Sequence, residues 1–251
     1  MSEVKEFQDI DRLCLEARKI FRSHLPEKQG EVEFVFSVCL DLLRSIGKFK
    51  KPEEWEDSRE EYTLSVLIQA IETVLAMYYL SESGFWDNSL ALKRNVAELI
   101  LIAVAIGYDR QCFVDWKHER DSFNDYNKIL RRVQDSTDIP DIEKSLLPHL
   151  KRYWLESSQL FSHNIRLKSI RTLPKGGQFK FEPKLAEMEF QEKRLHTIRN
   201  MLIDIISISL GIFEYDAVVS RRKSEFPEAP EIIRRCNKCM QNEDWRKQET
   251  A

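Results

Sequence analysis

A chain of 251 residues with 42% hydrophobic residues can bury a sizeable core without disulfide or metal staples, and its length alone does not divide it into domains. Only seven glycines beside a charged fraction of 32% suit helices with apolar inner stripes and charged outer faces, which disfavours all-β and dinucleotide-fold readings. A net charge of −3 sets up no field able to hold a polyanion over the whole surface, so nucleic-acid binding would need a local basic patch.

The N-terminal stretch MSEVKEFQDIDRLC is acidic and lacks the basic-then-apolar order of a secretory signal, so a cytoplasmic location is expected. From Glu3 to Ser23 apolar residues recur near a period of 3.6, predicting an amphipathic helix that Pro26 and Gly30 end. A second apolar series runs from Val32 to Ile46, with Gly47 as its C-cap. Asp57 or Ser58 caps a third helix, whose core lies between Leu64 and Tyr78 and which ends near Ser81 to Gly84. The fourth runs from Trp86 to Ile106 and stops at Gly107; a fifth follows Asp109 as far as Val133, with Trp116, Phe123 and Tyr126 expected in the core. Turn residues between Asp135 and Pro140 precede a short helix, Asp141 to Leu147, and another from Pro148 to Phe161.

Between Asn164 and Phe181 there is no acidic residue, and Pro174, Gly176 and Gly177 predict a loop or small hairpin over 164–181. Glu182 and Pro183 open the longest periodic segment, which reaches Phe213; a weak helix ending at Cys239 and a frayed end follow. The apolar runs Leu99 to Ile106 and Met201 to Phe213 are shorter than the ~20 residues of a membrane span, and Asp204 interrupts the second. Both read as buried core helices, and no membrane attachment is expected. The expectation is therefore an all-α, multi-helix bundle in one domain, 1–251: N-terminal helices over 1–60, a core over 61–215 and a tail over 216–251.

Arg94 and Glu98 are spaced i,i+4 and share one helix face beside the apolar run Val96 to Ile106, which predicts a partly buried ion pair. A structural bridge between helices explains that spacing, and a catalytic role needs a third polar group. His163, at a predicted helix end close to Ser158 and Ser162, is the candidate, because imidazole titrates near neutrality and serves as general acid or base. The bland alternative is a histidine favoured by the helix dipole. The acid-free loop carries Arg166, Lys168, Arg171, Lys175 and Lys180, and the first four are the candidate anion or nucleic-acid contacts, with RNA the ligand to test. Cys236 and Cys239 have the spacing of half a zinc site, but no second pair completes four ligands, so neither metal nor cofactor is expected.

Leu92-Lys-Arg94-Asn-Val-Ala-Glu98, followed about sixty residues later by Tyr153-Trp-Leu-Glu-Ser-Ser158-Gln-Leu-Phe-Ser162-His163, resembles a family of uncharacterised prokaryotic all-helical proteins across roughly residues 60 to 215. The resemblance implies that Arg94, Glu98 and His163 meet. A more distant likeness is to HEPN-type helical proteins, several of which are metal-independent ribonucleases built on an arginine followed closely by a histidine. In that chemistry a histidine moves the ribose 2′-hydroxyl proton and an arginine stabilises the phosphorane. Arg94-Asn95 and Arg199-Asn200 lack the following histidine, and Arg152 to His163 is too long a gap. Two readings result. One is a binding or interaction domain, met by a protein partner or a second copy, in which the polar cluster fixes helix packing; the other is a HEPN-like ribonuclease or toxin-type enzyme using His163 and Arg94.

Overall fold

The protein is described by a computed structural model over residues 2–118, 125–157 and 188–241. Every regular element among these residues is helical, as the periodicity predicts. In chain order they are α1 (Ser2–His24), α2 (Pro26–Gly47), α3 (Pro52–Trp55), α4 (Arg59–Glu82), α5 (Trp86–Tyr108), α6 (Arg110–Lys117), α7 (Tyr126–Asp135), α8 (Asp141–Lys144), α9 (147–157), α10 (Met188–Ile212), α11 (Tyr215–Arg221) and α12 (Ala229–Gln241). The predicted hairpin over 164–181 lies outside the described residues, as does Phe123.

Caps and turns set the boundaries. Pro26 opens α2 at its first turn, where a missing N–H costs nothing, and Gly30 lies inside that helix rather than ending the one before it. Ser58 caps α4, its hydroxyl accepting from the Glu61 amide at 3.1 Å. Gly84, at φ 83°, makes the turn into α5 in a conformation that a side chain would strain. The single helix expected from Asp109 to Val133 is divided. Asp109 caps α6 by accepting from the Cys112 amide at 2.9 Å, and Asp125 caps a separate α7 by accepting from the Asn127 amide at 2.7 Å. A strong internal cap restarts a helix even where apolar periodicity continues across it.

The short α4–α5 turn makes these two helices antiparallel neighbours, fastened at their joined ends by Ser89, whose hydroxyl donates to the Met77 carbonyl at 3.0 Å. α5 is enclosed: Val96, Ala97, Ile100, Leu101, Ala103, Val104, Ala105 and Ile106 are all within 1% of full burial. Each larger aliphatic side chain so enclosed contributes about 1.5–3 kcal/mol. α10 lies beside α5 and α2. Cys39 of α2 donates its thiol to the Leu202 carbonyl at 3.3 Å, and the Tyr215 hydroxyl reaches Ser45 Oγ at 2.8 Å.

Gly107 does not cap α5, which continues to Tyr108; a Cβ there would meet Ile212 of α10 at 2.7 Å, so glycine permits close helix approach. The stretches outside 61–215 share the same core. Phe21, Val35 and Cys39 at one end of the chain and Ile232, Cys236 and Cys239 at the other belong to one apolar cluster with α5 and α10. α12 is fastened to α2 by Arg235 on Asp41 at 2.6 Å, so 229–241 is packed, and the chain end expected to fray lies outside the described residues.

Candidate functional site

The Arg94–Glu98 pair forms as its spacing predicts, with Arg94 Nε donating to Glu98 Oε1 at 2.9 Å. Its third member is Trp154 of α9, whose indole N–H donates to the same Glu98 oxygen at 3.0 Å. The Arg94 guanidinium lies 4.8 Å from the centre of the Trp154 ring. On the ring's account Tyr126 of α7 adds a further layer, stacked 4.9 Å away and 11° from parallel. Arginine, indole and phenol thus tie three helices together, through cation–π attraction and ring stacking.

The cluster is half open rather than buried. The Arg94 side chain is 49% exposed and that of Glu98 31%, because they stand on the outer edge of α5 while Tyr126 turns inward. The Tyr126 hydroxyl is buried without a hydrogen-bond partner among the described residues, and burial, with the Glu98 charge, pushes its pKa well above the ordinary phenol range. His163, Ser158 and Ser162 lie outside the described residues, as do Arg166, Lys168, Arg171, Lys175 and Lys180 of the basic loop.

Arg18 and His24 have five residues between them, the spacing of the ribonuclease pattern, and sequence reasoning missed them. Both stand on the regular helix α1, which sets them about 120° apart around the axis and about 9 Å along it. Arg18 Nε donates to Ser83 Oγ at 3.0 Å, and His24 is exposed. The spacing does not bring the two side chains to one point.

Beside Arg94 the sequence also hides a buried cation. Lys93 is 4% exposed, pairs with Glu156 of α9, and holds its ammonium 4.8 Å from the Tyr153 ring centre. Burial lowers its pKa, Glu156 opposes that shift, and Arg194 and Arg152 add to it. Arg194 and Asp204 of α10 are buried beside the Lys93–Tyr153 contact, Arg194 near enough to act on the Lys93 charge and Asp204 on the Tyr153 hydroxyl. A part-buried ion pair such as Lys93–Glu156 helps fix which helices meet, since removing one partner strands the other. Only the interruption of the apolar run by Asp204 signals these buried charges in the sequence.

The cysteines contribute no metal centre among the described residues, where no group of three or more His, Cys, Asp or Glu side chains is placed to hold an ion. Cys236 and Cys239 turn inward towards Cys39, all three within 2% of full burial. Burial pushes the thiol pKa values up, that of Cys236 to about 12.

α4 differs from the other long helices. Together with the Gln191–Ile212 stretch of α10, it is long and apolar enough, by length and composition, to cross a membrane. The runs singled out from the sequence do not include it. The α10 window is 72% buried within the fold, whereas that of α4 is only 50% buried. Ile68, Leu75 and Tyr79 of α4 are 43%, 37% and 50% exposed. Spaced i, i+7 and i+11, they form one stripe along the helix. No protein-family model, curated protein or solved structure matches this chain.

Proposed function

We propose that this chain is a helical interaction module whose working surface is the outer face of α4, and that its protein partner presents an amphipathic helix there. The supporting observation is the half-buried apolar window of α4: a helix apolar on all sides is normally enclosed, and here one side has nothing over it among the described residues. From Tyr62 to Ser81 the only charged residue is Glu72, midway between Ile68 and Leu75 on the open stripe. A partner helix with apolar anchors about one and two turns apart and a Lys or Arg opposite Glu72 complements this face.

Charge decides between this occupant and two others. Symmetric pairing with a second copy, centred on the stripe, sets Glu72 against its own duplicate, and like charges at such a contact repel. Inserting the face into lipid carries Glu72 towards hydrocarbon at a cost of several kcal/mol. The ribonuclease alternative draws no support from the described residues, where Arg94 commits its Nε to Glu98 and its face to Trp154.

The test places a photo-reactive phenylalanine analogue at position 79 and sequences the peptides it captures in cell extract. The expected product is one discrete adduct whose captured peptide is an amphipathic helix with a basic residue between its apolar positions, lost on Ile68→Asp. Capture of this same chain, co-sedimentation with phosphatidylcholine vesicles that Ile68→Asp abolishes, or labelling no stronger than from a control site at Arg44 each overturns the proposal.

A further inference from the structure

A cavity of about 290 Å³ lies between α2, α10 and α12, with Gly30, Glu31, Phe34, Arg199, Lys238 and Cys239 in its wall. Three cations stand near it, and they are not equivalent. Arg235 is saturated, donating to Asp41 Oδ2 and Ser37 Oγ at 2.6 Å each. The Arg199 side chain is only 8% exposed, yet its carboxylate partner among the described residues, Glu31, is 3.9 Å away, beyond hydrogen-bond distance. No hydrogen bond joins its guanidinium to any described residue. The Lys238 ammonium rests 5.3 Å from the centre of the Phe34 ring, with no carboxylate partner among the described residues.

A guanidinium taken out of water normally has its donors matched, because leaving them unmatched costs more than any neutral pair returns. Arg199 lines the cavity, so the nitrogens left without a hydrogen bond to the described residues keep contact with solvent there. We propose that this cavity binds a small organic monoanion, a carboxylate on a compact apolar body, with Arg199 as its bidentate partner. The charges set the valence: Arg199 and Lys238 against Glu31 leave one positive charge to neutralise. The volume, at the low end of the ~300–1,000 Å³ of small-molecule sites, fits a ring or short chain and excludes a dinucleotide. Phe34 and Cys239 supply the apolar wall.

Gly30 keeps the cavity open. A Cβ built on it meets nothing within 4 Å, although glycine inside a helix such as α2 costs about 1 kcal/mol relative to alanine. A larger side chain at this position extends into the space the ligand would fill.

Ligand-observed NMR with benzoate, benzamide and inorganic phosphate tests the assignment on the full chain. Benzoate is expected to bind at millimolar concentration or tighter and benzamide not to bind, because only the first offers a charge to Arg199. Arg199→Gln should weaken benzoate by about tenfold or more, the value of a charge-assisted hydrogen bond. Gly30→Leu, which replaces a poor helix former with a good one and keeps both cations, should abolish binding in a chain that melts no lower than wild type. This variant decides the matter if Arg199→Gln fails to fold. Benzamide binding as well as benzoate, phosphate displacing benzoate at equal concentration, no benzoate binding, or affinity unchanged by Gly30→Leu each overturns the proposal.

Discussion

Gly30→Ala and Gly211→Ala make the same chemical change in two helices, and the structure gives them opposite signs. In both, alanine recovers about 1 kcal/mol of helix propensity. At Gly30 the new methyl meets nothing within 4 Å, so that gain stands alone. At Gly211 the Cβ would sit 2.5 Å from the Tyr108 hydroxyl oxygen and closer still to Glu143 Oε1. Those two atoms are joined by a hydrogen bond of 2.9 Å, and Glu143 is 4% exposed, so neither can retreat into solvent without opening the contact between α5, α8 and α10. Breaking that bond leaves buried polar groups unsatisfied at about 1–3 kcal/mol, and overpacking adds about 1–3 kcal/mol. After the propensity gain, Gly211→Ala is expected to destabilise by roughly 1–5 kcal/mol. Thermal unfolding of the two variants is the assay. Gly30→Ala should melt about 2–4 °C above wild type and Gly211→Ala several degrees below it, at roughly 2–4 °C per kcal/mol for a chain of this size. Shifts of the same sign would refute the reasoning, since propensity alone would then govern both sites.

Glu143 itself provides a pH test. Burial raises its pKa, and the Tyr108 hydrogen bond only partly opposes the shift. The folded chain therefore holds this proton more tightly than the unfolded chain, and Glu143 costs stability as pH rises from about 4.3, the unfolded value, through the raised folded value. Glu143→Gln keeps an acceptor for Tyr108 without the charge, so its advantage over wild type in urea unfolding should grow between about pH 4 and pH 7; a flat difference contradicts the assignment. Tyr126→Phe removes a buried hydroxyl that has no partner among the described residues and retains the stack on Trp154, so it should be neutral or stabilising by about 1 kcal/mol, where a loss of similar size would show an unseen bond. Trp154→Ala removes the centre of the stack and should cost about 2–4 kcal/mol, against less than about 1 kcal/mol for the half-exposed Arg94→Ala; equal costs would make the ion pair, not the indole, the fastening. Iodoacetamide on the native chain at neutral pH should alkylate Cys14 alone, since Cys39, Cys112, Cys236 and Cys239 are buried with raised thiol pKa values. Two or more adducts by mass spectrometry would show that the core opens.

Helical class, the principal apolar faces and the Arg94–Glu98 pair could be read from the chain because each is written in local spacing. A 3.6-residue period marks a helix, and an i,i+4 pair needs only the helix that carries it. The start of α4 was legible in the same way, at Asp57 or Ser58, as was that of α6 after Asp109. What depends on a second helix was not. The sequence shows Trp154 as one more aromatic residue, and only the packing of α9 against α5 lays its indole between Arg94 and Tyr126. Gly30 and Gly107 read alike as helix ends and Gly211 as one more position in a long helix, yet they prove to be one open wall and two close approaches, because a missing Cβ has no meaning until something stands beside it. The same holds for charge. Arg199 is an ordinary helical arginine in the sequence, and tertiary structure decides that it is buried at the wall of a cavity with Glu31 3.9 Å away, since burial and partners are properties of neighbours brought together from distant parts of the chain.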